Sequence, residues 1–157
     1  MTLNIPLDIL PFKKDVFISI KGIQNIDGEK DIIELLTCGE FYRENNEFFI
    51  SYQESETTGF KDSDTLLKIN GEEMVTLTRT GGTSSHLVIE KGKRHQCHYD
   101  TGYGSLTVGI SGDSIASTLS ENGGILDFSY SMDINSALTS ENRVIITIKE
   151  SDTYAKQ

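Results

Sequence analysis

Thr65-Leu66-Leu67-Lys68-Ile69-Asn70-Gly71-Glu72-Glu73-Met74-Val75-Thr76-Leu77-Thr78-Arg79 is the stretch that decides the fold. Thr65, Leu67 and Ile69 share one side of an extended chain, and Val75, Leu77 and Arg79 share one side of the return. Between them Asn70-Gly71 supplies two residues that accept positive φ, the requirement of a tight hairpin turn. Working outward, the same rhythm continues in both directions. Turn signals fall at Asp27-Gly28, Asn45-Asn46, Gly59, Gly81-Gly82, Lys91-Gly92, Gly102-Tyr103-Gly104, Gly112-Asp113 and Gly123-Gly124, with β-branched and aromatic residues between them.

Val16, Ile18 and Ile20 read as a first strand, and residues 31–43 as a long second one with Gly39 marking a bulge or bend. Phe48, Ile50 and Tyr52 follow, then a polar loop over 55–64 and the hairpin already quoted. Leu87 and Ile89, Cys97 and Tyr99, Leu106 to Ile110, Leu126 to Met132, and Val144 to Ile148 supply later apolar faces. A helical turn capped by Ser136 is expected over 135–142. Short connections favour pairing between sequential strands, and closing such a meander removes its exposed edges. The expected fold is all-β, a single antiparallel up-and-down β-barrel of about eight to ten strands, preferred over a sandwich. It occupies residues 15–150, with tails at 1–14 and 151–157.

A chain of 157 residues buries enough surface for one core. Its formal charge of −10, from 24 acidic and 14 basic residues, repels phosphate backbones and anionic bilayers, so neither nucleic acid nor membrane is an expected partner. The first twelve residues lack the charged start of a secretory leader, and Pro6 and Pro11 split their apolar stretch. Cys38 and Cys97 make no disulfide framework. Both are expected reduced and buried, in the cytoplasm.

Motifs for chemistry are sparse. Asp100-Thr101-Gly102 matches the aspartyl-protease triplet, but a polar strand precedes it and a corner explains it. His95 and His98 lie three apart on a strand and face opposite sides, so they do not chelate one ion. Gly102, Gly104 and Gly109 precede a strand rather than a helix, which removes the phosphate-loop reading. No catalytic residue, metal or cofactor is expected.

Strand parity gives the better clue. Extending Phe48, Ile50 and Tyr52 reaches Glu54; extending Val75 and Leu77 reaches Arg79; extending Cys97 and Tyr99 reaches Thr101. Tyr130 is a further inward polar group. Inward charges are costly unless paired, so a Glu54–Arg79 pair is expected. Tyr52, Glu54, Arg79, Tyr99, Thr101 and Tyr103 are therefore the candidate ligand-binding residues, at the end of an apolar interior. Arg79 would meet a carboxylate or phosphate of the ligand, steadied by Glu54.

Tyr52-Gln53-Glu54, Val75 to Arg79 before Gly81-Gly82, Tyr99-Asp100-Thr101-Gly102-Tyr103-Gly104 and Gly124-Ile125-Leu126-Asp127-Phe128-Ser129-Tyr130 together resemble the YwiB-like family of small bacterial proteins. The resemblance covers residues 16–149. It implies a calycin-like, or lipocalin-like, β-barrel in a bacterial cell, with no assigned activity and no catalytic residues to transfer. Three functions are expected in order: a non-enzymatic cytoplasmic binder of a small, partly apolar ligand; a solid barrel serving protein interaction or homodimerisation; and an enzyme acting on a small metabolite.

Overall fold

The structure is a computed structural model that describes residues 10–151. The ten strands are β1 (Phe12–Ile26), β2 (Glu29–Glu44), β3 (Glu47–Gln53), β4 (Ser63–Asn70), β5 (Met74–Gly81), β6 (Ser85–Glu90), β7 (Arg94–Asp100), β8 (Ser105–Ser117), β9 (Gly123–Ile134) and β10 (Ala137–Glu150). Each pairs antiparallel with its sequence neighbours, and β1 pairs with β10, so the meander closes into a barrel. The expected class and topology hold. The first strand starts at Phe12, because Phe12, Lys13 and Lys14 pair with Arg43, Tyr42 and Phe41. Of the tails expected at 1–14 and 151–157, residues 12–14 belong to β1, and residues 1–9 and 152–157 lie outside the described residues.

Side-chain period and register convert the sequence pattern into stacked inward rows. Ile69, Val75 and Ile89 form one row across β4, β5 and β6; Leu67, Leu77 and Leu87 form the next; Thr65, Arg79 and Ser85 form the third. Tyr52 extends the third row onto β3. Apolar residues thus occupy two rows, and polar ones begin at the third.

The end that holds the β2–β3 turn is packed shut. Phe41 lies 5.2 Å edge-on from Phe12 and 5.4 Å stacked from Phe48. The Arg43 guanidinium covers the Phe12 and Phe48 rings at 4.9 and 5.4 Å. Its Nε and Nη2 donate to the Leu10 carbonyl at 2.9 and 2.8 Å, which ties the start of the chain across that end. Phe128, Ile110, Leu126 and Ile146 fill the interior beside this cluster.

Four sequence expectations change. Asn135 and Ser136 adopt φ of 52° and 69° in a two-residue hairpin turn between β9 and β10, so no helical turn forms. Register with β1 runs unbroken through Gly39, where the ladder with β3 ends. The irregularities lie at Leu138/Ser140 and at Gly112/Ser114, so Gly112-Asp113 is an irregularity inside β8 rather than a turn. Gly39 is needed for a close approach: a Cβ there would sit 2.1 Å from the Ser51 carbonyl oxygen and 2.7 Å from Ile18 Cδ1. Cys97 is buried, but Cys38 is exposed, because inward Gly39 and Phe41 turn Cys38 outward by strand parity.

Gly39→Ala must displace a backbone carbonyl, so it is expected to cost about 1–3 kcal/mol in urea unfolding. An unchanged midpoint would contradict the close packing of β2 on β3.

Candidate functional site

The opposite end carries the β1–β2 turn, the β3–β4 loop and the Thr101–Gly104 turn. Glu54 lies just past β3 and Arg79 near the end of β5, and both side chains point inward, as parity requires. Arg79 Nη2 donates to Glu54 Oε2 at 3.2 Å, and Nε approaches the same oxygen at 3.4 Å. Nε is also 3.4 Å from Thr65 Oγ1, and the Thr65 hydroxyl donates to Glu54 Oε2. The two charged side chains are 9% and 1% exposed, so this is a buried ion pair with its hydrogen bonds supplied.

The β3–β4 loop completes the arrangement. Ser55 caps a single 3-10 turn, Glu56–Thr58, by accepting the Thr57 N–H, and Gly59 ends it at φ 85°. The loop then delivers Phe60, whose ring lies 3.8 Å from the Arg79 guanidinium carbon. The lower rim is anchored by Ser63 and Thr83, whose buried hydroxyls are 2.9 Å apart, with the Thr83 N–H donating to Ser63 Oγ.

Above the pair is a cavity of about 300 Å³. Arg79, Tyr99, Tyr130, Phe60, Leu77 and Met132 are among its lining residues. The barrel is therefore filled at one end and hollow at the other. Burial pushes the Tyr130 phenol up to about 12, with Tyr99 adding to the shift and Arg79 opposing it. Tyr52 sits beneath, and burial, then the Glu54 charge, raises its phenol strongly. Both are neutral hydroxyls at ordinary pH.

Of the six residues singled out from the sequence, Tyr52, Glu54 and Arg79 come together, and Tyr99 lines the cavity beside them. Thr101 and Tyr103 do not join them. Strand β7 stops at Asp100, so parity no longer governs Thr101; its hydroxyl donates to the Gly104 carbonyl and accepts from the Tyr103 N–H. Tyr103 is fully exposed at the tip of this turn. Asp100 accepts N–H bonds from Gly102 and Ser84, which hold its carboxyl below the usual range, so the Asp-Thr-Gly triplet builds a rim corner. His95 bonds Glu90 at 2.9 Å at the end of β7 away from the cavity, partly buried on the same strand face as Cys97.

Sequence reasoning missed Phe60 and Met132. Phe60 had one signal, as an isolated aromatic within an otherwise polar loop. Met132 continues the inward face of Phe128 and Tyr130, but nothing local distinguished a lining position from a packed one.

Fold and site together define a small, closed antiparallel β-barrel with a packed base and a polar-floored cavity. The chain belongs to the family described as a domain of unknown function, DUF1934, whose sequence profile matches residues 18–146. It is 26% identical over 140 residues to a protein of Bacillus subtilis (strain 168) described as the uncharacterized beta-barrel protein YwiB, spanning 89% of this chain and 96% of that one. The crystal structure of the Bacillus subtilis ywiB protein superposes with a TM-score of 0.77 at 24% identity, covering 88% of this chain and 93% of the other. That likeness carries the ten-stranded fold. Among the described residues no helix is long and apolar enough to cross a membrane.

The Tyr52 and Tyr130 phenols, buried and partly buried, give a pH signature. A phenol whose folded pKa is raised stabilises the fold fully below its unfolded value near 10, and that contribution disappears as pH rises towards about 12. Tyr130→Phe is expected to reduce the alkaline loss of stability over that window and to remove an ultraviolet phenolate transition near pH 12. An unchanged phenolate titration would contradict the buried placement.

Proposed function

We propose that the chain is a non-enzymatic binder of a small, partly apolar ligand held in the hollow end of the barrel. The observation that supports this most is the cavity of about 300 Å³ directly above a buried, hydrogen-bonded guanidinium, in a barrel otherwise packed with side chains. Leu77, Leu87, Met132 and Val144 offer apolar walls, while Arg79, Tyr99 and Tyr130 offer a few convergent polar groups. That mixture fits an amphipathic small molecule better than an ion or a polymer. The proposal includes a cytoplasmic setting, which two unpaired thiols, one of them exposed, support.

A second reading, homodimerisation, rests on a different observation. The β2–β3 ladder spans only Gly39 to Glu44, so residues 29–38 of β2 have no strand partner on their β3 side among the described residues. Ile32 and Leu36 of this stretch are 49% and 82% exposed. An open edge of this length can pair with the same edge of a second copy about a twofold axis.

Native mass spectrometry of the full chain purified from cells separates the two. Ligand binding predicts a monomer carrying extra small-molecule mass, which Arg79→Ala loses. A bare monomer, with no thermal shift from any of a panel of small aromatic and aliphatic carbonyl compounds, would sink the ligand reading. A dimer that dissociates to bare chains would favour the second.

A further inference from the structure

The Arg79 fork already has its carboxylate. Guanidinium groups recognise anions through paired N–H groups along one edge. Here the Nε/Nη2 edge is directed at Glu54 Oε2, with the two distances at 3.4 and 3.2 Å, and Thr65 reinforces the same oxygen. One face of the guanidinium is covered by Phe60 at 3.8 Å. Nη1 makes no hydrogen bond among the described residues, so its two N–H groups and the second N–H of Nη2 are what Arg79 retains for a ligand.

That occupancy decides the ligand's charge. Glu54, just past the end of β3 and with its side chain 1% exposed, cancels the Arg79 charge inside the barrel. An anion docked on Nη1 would sit across one guanidinium from the Glu54 carboxylate. It would lose its hydration and find no net positive charge in return. The other charged lining residues do not supply one. Arg143 is engaged by Asp127 in a two-bond fork at 3.0 and 2.7 Å, and Asp31 adds a negative charge near the mouth. The remaining polar lining groups are uncharged and include Gln24, Thr58, Asn142 and the phenols of Tyr99 and Tyr130, the last held protonated by burial.

We propose that the hollow end selects uncharged ligands bearing a carbonyl-type acceptor on an apolar body, with Glu54 acting as the residue that excludes anions. This rests on the reading of the cavity as a ligand site, and it revises the expectation that Arg79 meets a carboxylate or phosphate. Nη1 and the phenols donate to the acceptor, while Leu77, Met132 and Phe60 contact the body.

The test uses two isosteric probes, 2-naphthamide and 2-naphthoate, titrated into the full chain near neutral pH. Calorimetry gives the affinities, and the Arg79 Nε–H resonance reports the location. The amide is expected to bind at least tenfold tighter than the carboxylate and to shift that resonance. In Glu54→Gln the guanidinium charge is no longer cancelled, so the preference should reverse towards naphthoate. Wild-type protein that prefers naphthoate while shifting the Arg79 signal overturns the selectivity and leaves the cavity as a ligand site. Neither probe binding or shifting that signal overturns the ligand site itself. The wild-type preference decides the matter alone if Glu54→Gln does not fold.

Discussion

Moving a carboxylate and a guanidinium out of water costs several kcal/mol per ion, and geometry alone can offset it. In this barrel Glu54 and Arg79 meet that demand together with Thr65, Tyr52 and Phe60. Each partner is brought by a different part of the chain: Tyr52 by β3, Glu54 by its end, Thr65 by β4, Arg79 by β5, and Phe60 by the β3–β4 loop. The pair therefore fixes the strand ends and the loop at once. Removing either charge would leave the other buried and uncompensated.

The pair also marks where the core stops. Two successive inward rows across β4, β5 and β6 are apolar and close-packed, and the third is Thr65, Arg79 and Ser85. Below it the interior is continuous with the Phe12, Phe41 and Phe48 cluster that seals the far end. Beside Arg79 the cavity opens, and it extends to Leu77 and Leu87 of the row below. The same row gives the cavity a floor that is hydrogen-bonding yet electrically neutral, the basis of the proposal that it takes an uncharged ligand.

Much of this was legible in the chain itself. The β4–β5 hairpin forms where Asn70-Gly71 placed it, though only Gly71 adopts positive φ, Asn70 ends β4 and the turn runs through Glu73. Period-two parity carried Glu54 and Arg79 inward before any coordinates. Parity works only while a strand lasts. It failed at Thr101 because β7 ends one residue earlier and local side-chain bonds then take over. Near 135–142, Ser136 signals both a helix cap and a hairpin turn, and pairing between β9 and β10 decided for the turn. Gly39 was visible as an anomaly, but whether a glycine marks a bulge or a close approach depends on the neighbouring strand. Phe60 could not be assigned to Arg79 without knowing how the loop folds back, since the contact is non-local.

The central claim is that Glu54 and Arg79 act as one buried unit rather than as two polar groups at a rim. A double-mutant cycle with Glu54→Gln, Arg79→Met and the pair together, read by urea unfolding, tests it most directly. Each single change is expected to cost about 2–4 kcal/mol, and the double to cost less than their sum by at least about 1.5 kcal/mol. Single costs that are small and add to within about 0.5 kcal/mol would contradict the account.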